Sequence, residues 1–190
     1  MTDVTFNAET HQYFCGLQEL TSVSKVLRSC APLAPDFSAI APEVLENARD
    51  RGVVLDSLLS AWINGTLTAI PPGTRKDVLP MFDAVCAWID AQGFAEMSAQ
   101  VILADDSVAG TCDFIFDGEI YDLKCVSKLS TTYQLQVAAY TQLSNYGDGG
   151  LIHINASMKV PKIVRIQQSD LDDWRTLWAC WDMAQRRLAK

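Results

Sequence analysis

The sequence has few basic residues, two histidines and no long apolar run. Its 15 Lys and Arg against 23 Asp and Glu give a net charge of -8. This balance argues against a protein that binds duplex nucleic acid tightly through broad phosphate contact, although a cleft could still be locally basic. No apolar stretch approaches the ~18 residues of a membrane span, and the first ten residues lack the features of a signal peptide. We therefore expect a cytoplasmic protein with no membrane partner.

The cysteine and histidine patterns exclude several kinds of site. The six cysteines are scattered without a Cys-x-x-Cys pair, which argues against a zinc ribbon or a thioredoxin-like motif and favours reduced thiols. His11 and His153 belong to no recognisable triad, and we expect His153 to have a structural role. No Gly-rich phosphate loop is present, so an ATPase is not indicated.

The chain is expected to form one domain of 190 residues with a sizeable core. Residues 1–92 should form a hairpin and helices, and residues 93–190 a sheet with further helices. Helices are predicted near residues 22–30, 42–63, 75–92, 130–144 and from about 169 onward. Strands are predicted near residues 95–103, 109–116, 119–125, 151–156 and 163–166. The fold class is therefore α/β, with a small mixed central sheet flanked by helices and a helical N-terminal part.

Finer features of the helices can also be predicted. Thr21 or Ser22 should cap the first helix, residues 31–42 should form a connector, and Ser169-x-x-Asp172 resembles a capping box. The tryptophans of the last helix recur at the spacing of a buried stripe, which favours core packing over a stacking surface.

An Asp-Gly turn places two acidic residues opposite each other. If Asp117 and Gly118 form a two-residue hairpin loop, Phe116 pairs with Glu119 and Asp113 lies opposite Asp122. Their Cβ atoms would then be only roughly 5 Å apart, although like charges that face each other are destabilising.

Two explanations remain open for this carboxylate pair. Lys124 shares the face of Asp122, so the three residues could form a salt-bridged patch on an exposed sheet. Alternatively, the carboxylates could bind Mg²⁺ or Mn²⁺, which removes the repulsion. Lys124 could then orient or deprotonate a water molecule or stabilise charge on a phosphate. Gln136 and Tyr140 add to the second explanation, because they share one face of the next predicted helix.

These residues carry a family resemblance. The stretches "AGTCDFIFDGEIYDLKC" and "YQLQVAAY" resemble the core of the PD-(D/E)XK nuclease superfamily, in its RecB-like branch with phage lambda-type exonucleases and the mitochondrial genome maintenance exonuclease. The family pattern is a Gly-x-x-Asp strand, an (Asp/Glu)-x-Lys strand and a Gln-x-x-x-Tyr helix. It falls on Gly110 and Asp113, on Asp122 and Lys124, and on Gln136 and Tyr140. Upstream, "HQYFCGLQELTSVSKVL" and "RGVVLDSLL" are similar to further family patterns.

The resemblance implies a restriction-endonuclease-like core and roles for these residues. Asp113 and Asp122 would bind the metal together with the Leu123 carbonyl, Lys124 would be catalytic, and Gln136 and Tyr140 would position catalytic groups or the DNA backbone. In such a nuclease, substrate contacts would come from Arg51, Lys128 and Ser22, and further from Lys25 and Arg28, although each residue taken alone is more often a solvated surface group.

The sequence departs from the family pattern at two positions. Asp56 stands where many relatives have a metal-binding His, so it is either a metal ligand or part of a helix surface. Where relatives have a Glu on the first core strand, the sequence offers Ser98 or Gln100, with Glu96 slightly earlier, so both one and two metal ions remain open. No iron–sulfur cluster is expected, because Cys180 alone lies near the C-terminus.

We therefore expect a Mg²⁺- or Mn²⁺-dependent deoxyribonuclease, an exonuclease rather than an endonuclease, that acts on DNA ends. The resemblance places it in phage or cellular DNA recombination, repair or processing, in a bacterial cytoplasm or a phage-infected host. A homo-oligomer or a replication or recombination partner is compatible with it. A catalytically silent nuclease-fold module that binds protein or DNA ends, and a structure-specific endonuclease, are the alternatives.

Overall fold

The structure, a computed structural model, describes residues 4–30, 38–144 and 146–188. The strands are β1 Val4–Asn7, β2 Gln12–Cys15, β3 Gln18–Ser22, β4 Met97–Ala104, β5 Val108–Phe116, β6 Glu119–Lys124, β7 Gly149–His153 and β8 Lys162–Arg165. The helices are α1 Val23–Ser29, α2 Pro42–Ile63, α3 Leu79–Gln92, α4 Thr131–Ser144 and α5 Gln168–Leu188. Within the described ranges, no helix is long and apolar enough to cross a membrane.

All eight strands belong to one mixed sheet, which confirms the predicted α/β class. The strand order is β1-β2-β3-β5-β6-β7-β8, and β4 pairs with β5. β5 and β6 are antiparallel, whereas β6 and β7 are parallel. The sheet is larger than the predicted one, because β3 pairs in parallel with the start of β5 and thereby attaches the N-terminal strands.

Helices cover both faces of this sheet and give two hydrophobic clusters. One cluster joins the sheet to α1, α4 and α5, and the other joins it to α2 and α3. Phe114, Phe116, Tyr121 and Leu123 are buried in the second cluster, as the hairpin pattern predicts. Along β5 the alternation of side chains is interrupted near Asp113. Cys112 belongs to the cluster of α4, whereas Phe114, two residues later, belongs to the cluster of α2 and α3.

Two predicted helix starts are wrong. α3 begins at Leu79 rather than at residue 75, because Pro80 is tolerated only in the first turn of a helix. The capping box at Ser169 and Asp172 does not form. Instead the Asp170 carboxylate accepts a hydrogen bond from the Gln167 backbone N–H at 2.6 Å, since α5 already begins at Gln168.

Several finer predictions are confirmed. Ser22 caps α1, and its hydroxyl accepts a hydrogen bond from the Lys25 backbone N–H at 3.1 Å. Trp174 is 2% exposed, and Trp178 and Trp181 pack around the same cluster.

Other predictions differ from the structure or fall outside it. β7 begins at Gly149, before the predicted start of this strand at residue 151. Most of the predicted connector, residues 31–37, lies outside the described residues.

Candidate active site

The β5–β6 hairpin has the predicted register. Asp117 and Gly118 both adopt positive φ, at 47° and 79°, as a two-residue hairpin loop of the primed type requires. The strands pair Phe116 with Glu119 and Phe114 with Tyr121. The next position in this register holds Asp113 and Asp122. At this position the backbone hydrogen bonds between the two strands end. Instead, the Leu123 backbone N–H donates a hydrogen bond to the Asp113 Oδ2 at 2.7 Å.

Asp113, Asp122 and Lys124 form a charged group in which Asp122 is buried and the other two residues are half-buried. Asp122 is 1% exposed, and its carboxylate forms an ion pair with the Lys124 ammonium. Burial and the charge of Asp122 raise the pKa of Asp113 well above its ordinary value. Burial alone would lower the pKa of Lys124, but Asp122 and Asp113 together raise it. Lys124 therefore stays protonated and offsets only part of the negative charge.

The donor set at this point fits a hard divalent cation. Leu123 directs its N–H toward Asp113, and its C=O points to the same side of the strand. Two carboxylates and one carbonyl are oxygen ligands, and Mg²⁺ prefers one or two carboxylates completed by waters and substrate phosphates. In the described part of the chain, no three His, Cys, Asp or Glu side chains are grouped to hold an ion by themselves.

Helix α4 brings Gln136 and Tyr140 to the other side of this charged group. The Gln136 Nε2 donates to the Tyr140 hydroxyl at 2.9 Å. Burial and the charges of Asp122 and Asp113 raise the pKa of Tyr140, so the phenol keeps its proton. Gly110 allows this arrangement, because a Cβ at that position would lie 2.5 Å from the Tyr140 Cε1.

Helix α2 brings Asp56 into the same group. Burial and the charge of Asp122 raise the pKa of Asp56 to about 6. The Gln100 Nε2 donates to both Asp56 carboxylate oxygens at 3.1 Å. Gln100 lies in β4 between the residues that pair with Phe114 and Cys112 and has a φ of 57°. The structure thus selects Gln100, rather than Ser98 or Glu96, as the first-strand residue next to Asp56.

An open cavity of about 500 Å³ gives access to these groups. Its wall is formed by α2, β5 and the end of β6, and comprises Leu45, Ala48, Arg49, Gly52, Val53, Asp56, Asp113, Leu123, Cys125 and Val126. A second cavity of about 610 Å³ shares Leu45, Ala48 and Val126 with it and extends to Lys128 and Tyr133. The two cavities form one groove along α2.

The predicted substrate residues are not all in this groove. Lys128 lines the second cavity, whereas Ser22 is engaged as the cap of α1. Lys25 and Arg28 are exposed on α1. Arg51 is absent from the wall of the first cavity and lies 3.8 Å from the Asp77 carboxylate through its Nε.

Sequence analysis did not single out Arg49 or Tyr133. The Lys124 ammonium lies 5.1 Å from the centre of the Tyr133 ring, within the range of a cation–π contact. Arg49 precedes Asp56 by seven residues on α2, so the two share one helix face. This spacing was a signal that could have identified Arg49.

Comparisons with known proteins identify the fold. The sequence matches no protein-family model, and no curated protein is recognisably similar to it. A crystal structure from Eubacterium rectale named "Putative exonuclease" superimposes with a TM-score of 0.54 and 15% identity, over 83% of this chain and 76% of that chain. The chain shares the fold of this structure, a mixed sheet covered by helices that agrees with a restriction-endonuclease-like core.

A second solved structure is similar over most of its length. The alkaline exonuclease LHK-Exo from Laribacter hongkongensis is 12% identical over 90% of this chain and 93% of that chain, with a TM-score of 0.44.

Proposed function

We propose that the protein is a deoxyribonuclease that requires Mg²⁺ or Mn²⁺ and hydrolyses phosphodiester bonds. The observation that carries this proposal is the grouping of Asp122 and Lys124 with Asp113, which lines an open cavity. Buried like charges are unfavourable unless they are offset, and a single Lys124 offsets only part of them. A bound cation would offset the remainder.

Each residue of the group has a role in this proposal. Asp113, Asp122 and the Leu123 carbonyl would hold the cation, which when bound acidifies water and stabilises charge on a phosphate. Asp56 lies beside them and would hold a water ligand or the cation itself. Lys124 donates hydrogen bonds that orient the attacking water and stabilise charge developing on the scissile phosphate. Tyr140, which accepts a hydrogen bond from Gln136, directs its own proton to a neighbouring oxygen.

We further propose that the substrate is a DNA end and that the reaction is exonucleolytic. The E. rectale protein that shares the fold is named an exonuclease, and the groove along α2 leads to the carboxylates from one open side. Such an activity would serve DNA recombination, repair or processing in a cell or during phage infection.

The experiment is a digestion of end-labelled linear DNA with Mg²⁺ or Mn²⁺, by the wild type and by Lys124→Ala. Single-stranded, double-stranded and circular DNA are compared in parallel. We expect degradation of linear DNA, no cleavage of circular DNA, and a loss of at least about a hundredfold in rate in Lys124→Ala. Lys128→Ala is the matched control, and it should retain the rate of bond cleavage at saturating DNA.

Other outcomes would identify the alternatives. Cleavage of circular DNA would indicate an endonuclease with the same chemistry. If no DNA is cleaved with either metal, the protein is instead a nuclease-fold module that binds without cutting. The net charge of -8 agrees with such a module. Calorimetry then decides whether the carboxylates bind metal, because the heat of Mn²⁺ binding should disappear in Asp122→Ala.

A further inference from the structure

Arg49 differs in its surroundings from Arg51 and Arg75. It lines the same cavity as Asp56 and Asp113, and in the part of the chain that the structure describes it has no hydrogen bond or ion pair. Arg51 and Arg75, its neighbours on and beside α2, both contact the Asp77 carboxylate. Arg75 holds that carboxylate with two hydrogen bonds, at 3.0 and 2.8 Å.

The position of Arg49 on α2 follows the groove. Arg49, Gly52 and Asp56 are spaced at i, i+3 and i+7, so they lie along one face, and Arg49 is about 10 Å along the helix axis from Asp56. Gly52 lies between them and adds no side chain to the cavity. A Cβ at Gly52 would meet the Cys125 Cβ at 3.8 Å, which is an ordinary contact, so packing does not require glycine there.

The charges of the cavity wall point to an anion at Arg49. The charged residues of the wall are Arg49, Asp56 and Asp113, while Lys124 is occupied by Asp122. A polyanion that enters such a groove is repelled by carboxylates, except where a cation offsets them. A guanidinium with all its donors free suits phosphate oxygens, which it can bind in a bidentate manner.

We infer that Arg49 binds a phosphate group of the DNA strand next to the scissile one and so holds the strand in register with the carboxylates. This inference rests on the proposed nuclease function and adds a substrate-binding residue to it. Arg51, which the sequence pattern indicates for this role, lies outside the wall of the first cavity, and its Nε is 3.8 Å from the Asp77 carboxylate.

The test compares three arginine variants in two assays. Cleavage kinetics are measured for Arg49→Gln, Arg51→Gln and Arg187→Gln, the last being an exposed residue on α5. Binding of a fluorescein-labelled single-stranded oligonucleotide is measured by anisotropy at several salt concentrations, in the inactive Lys124→Ala background with Mn²⁺. Arg49→Lys is included because it keeps the positive charge.

We expect Arg49→Gln to raise KM about tenfold, while kcat changes less than about twofold, since the contact is made equally in the ground state and the transition state. The slope of log K against log salt should fall by about 0.7, the value for one phosphate contact on a single strand. Arg49→Lys should keep the slope. Arg187→Gln and Arg51→Gln should both keep the slope of their parent.

Two results would overturn the inference. An unchanged slope and KM in Arg49→Gln, with active wild-type protein, would show that Arg49 makes no phosphate contact. A drop in slope for Arg51→Gln in its place would return the role to Arg51. If the wild type neither cleaves nor binds DNA, the proposed nuclease function itself fails, and the inference fails with it.

Discussion

Each carboxylate of the site loses contact with water when the chain folds, and this opposes folding. Asp56 shows the effect most clearly, because burial and the nearby Asp122 raise its pKa from 3.8 to about 6. A carboxyl group with a raised pKa in the folded state favours folding while it is protonated. Its contribution is present below pH 4 and is lost as the pH rises through about 6.

We therefore predict that Asp56→Asn stabilises the metal-free protein at neutral pH. The gain should be at most about 3 kcal/mol at pH 7 and should vanish near pH 4. Thermal unfolding with a chelator, for both proteins between pH 4 and pH 8, measures it. If the stabilities of the two proteins depend on pH in the same way, folding does not change the pKa of Asp56, and the prediction is wrong. With saturating Mn²⁺ the advantage should shrink, because the cation offsets the same charge in the wild type.

Gly110 allows a second prediction at the residue scale. Gly110→Ala should displace Tyr140, because the new Cβ would lie 2.5 Å from the Tyr140 Cε1 and 3.3 Å from the Val23 Cγ2. We expect a loss of about 1 to 3 kcal/mol in unfolding free energy and a fall in cleavage rate, measured by urea denaturation and DNA digestion. Gly147→Ala is the control, since nothing lies within 4 Å of its added Cβ. Equal stability of the two variants would contradict the proposed crowding.

The site residues differ in how far sequence alone could place them. The Asp113 and Asp122 pair was predictable, because a two-residue turn fixes the register of a hairpin. Gln136 and Tyr140 followed from the helical period. Gln100 could not be placed, because its positive φ changes the direction of its side chain in a way that strand alternation does not describe.

At the scale of elements, the N-terminal strands support the active-site strand. Tyr13 on β2 is 6% exposed, and its hydroxyl lies 2.9 Å from the Thr111 Oγ1 on β5. β3 continues into α1, which packs against the same cluster as α4. This arrangement was not predictable, because a parallel pairing between distant segments leaves no local signal in the sequence.

We predict that Tyr13→Phe and Thr111→Val each lower the unfolding free energy by about 1 kcal/mol. The double variant should lose less than the sum, since either substitution alone leaves one buried hydroxyl without its partner. Urea denaturation of the four proteins measures this coupling. Additive losses would mean that the hydroxyl contact contributes nothing and that the hairpin is held by its apolar side chains alone.

At the scale of the whole molecule, the negative charge limits how DNA can be held. A net charge of -8 leaves affinity to a few local contacts, of which Arg49 and Lys128 are the candidates in the groove. Two phosphate contacts on a single strand give a slope of only about -1.4 for log K against the logarithm of the salt concentration. We predict that DNA affinity falls less than about tenfold between 50 and 200 mM salt, as measured by anisotropy with Lys124→Ala. A much steeper fall would indicate a basic surface outside the groove.

The contact between Gln100 and Asp56 also has a consequence for where the negative charge of the site can lie. The carboxylate of this pair is on α2 and the amide is on β4, where Gln100 donates to both Asp56 oxygens. Moving the acid to the strand would leave the charge of the pair unchanged. We therefore expect Asp56→His combined with Gln100→Glu to retain Mn²⁺ binding better than Asp56→His alone. Calorimetry of the single and double variants would show whether metal binding requires the total charge of the pair or the acid at its present position.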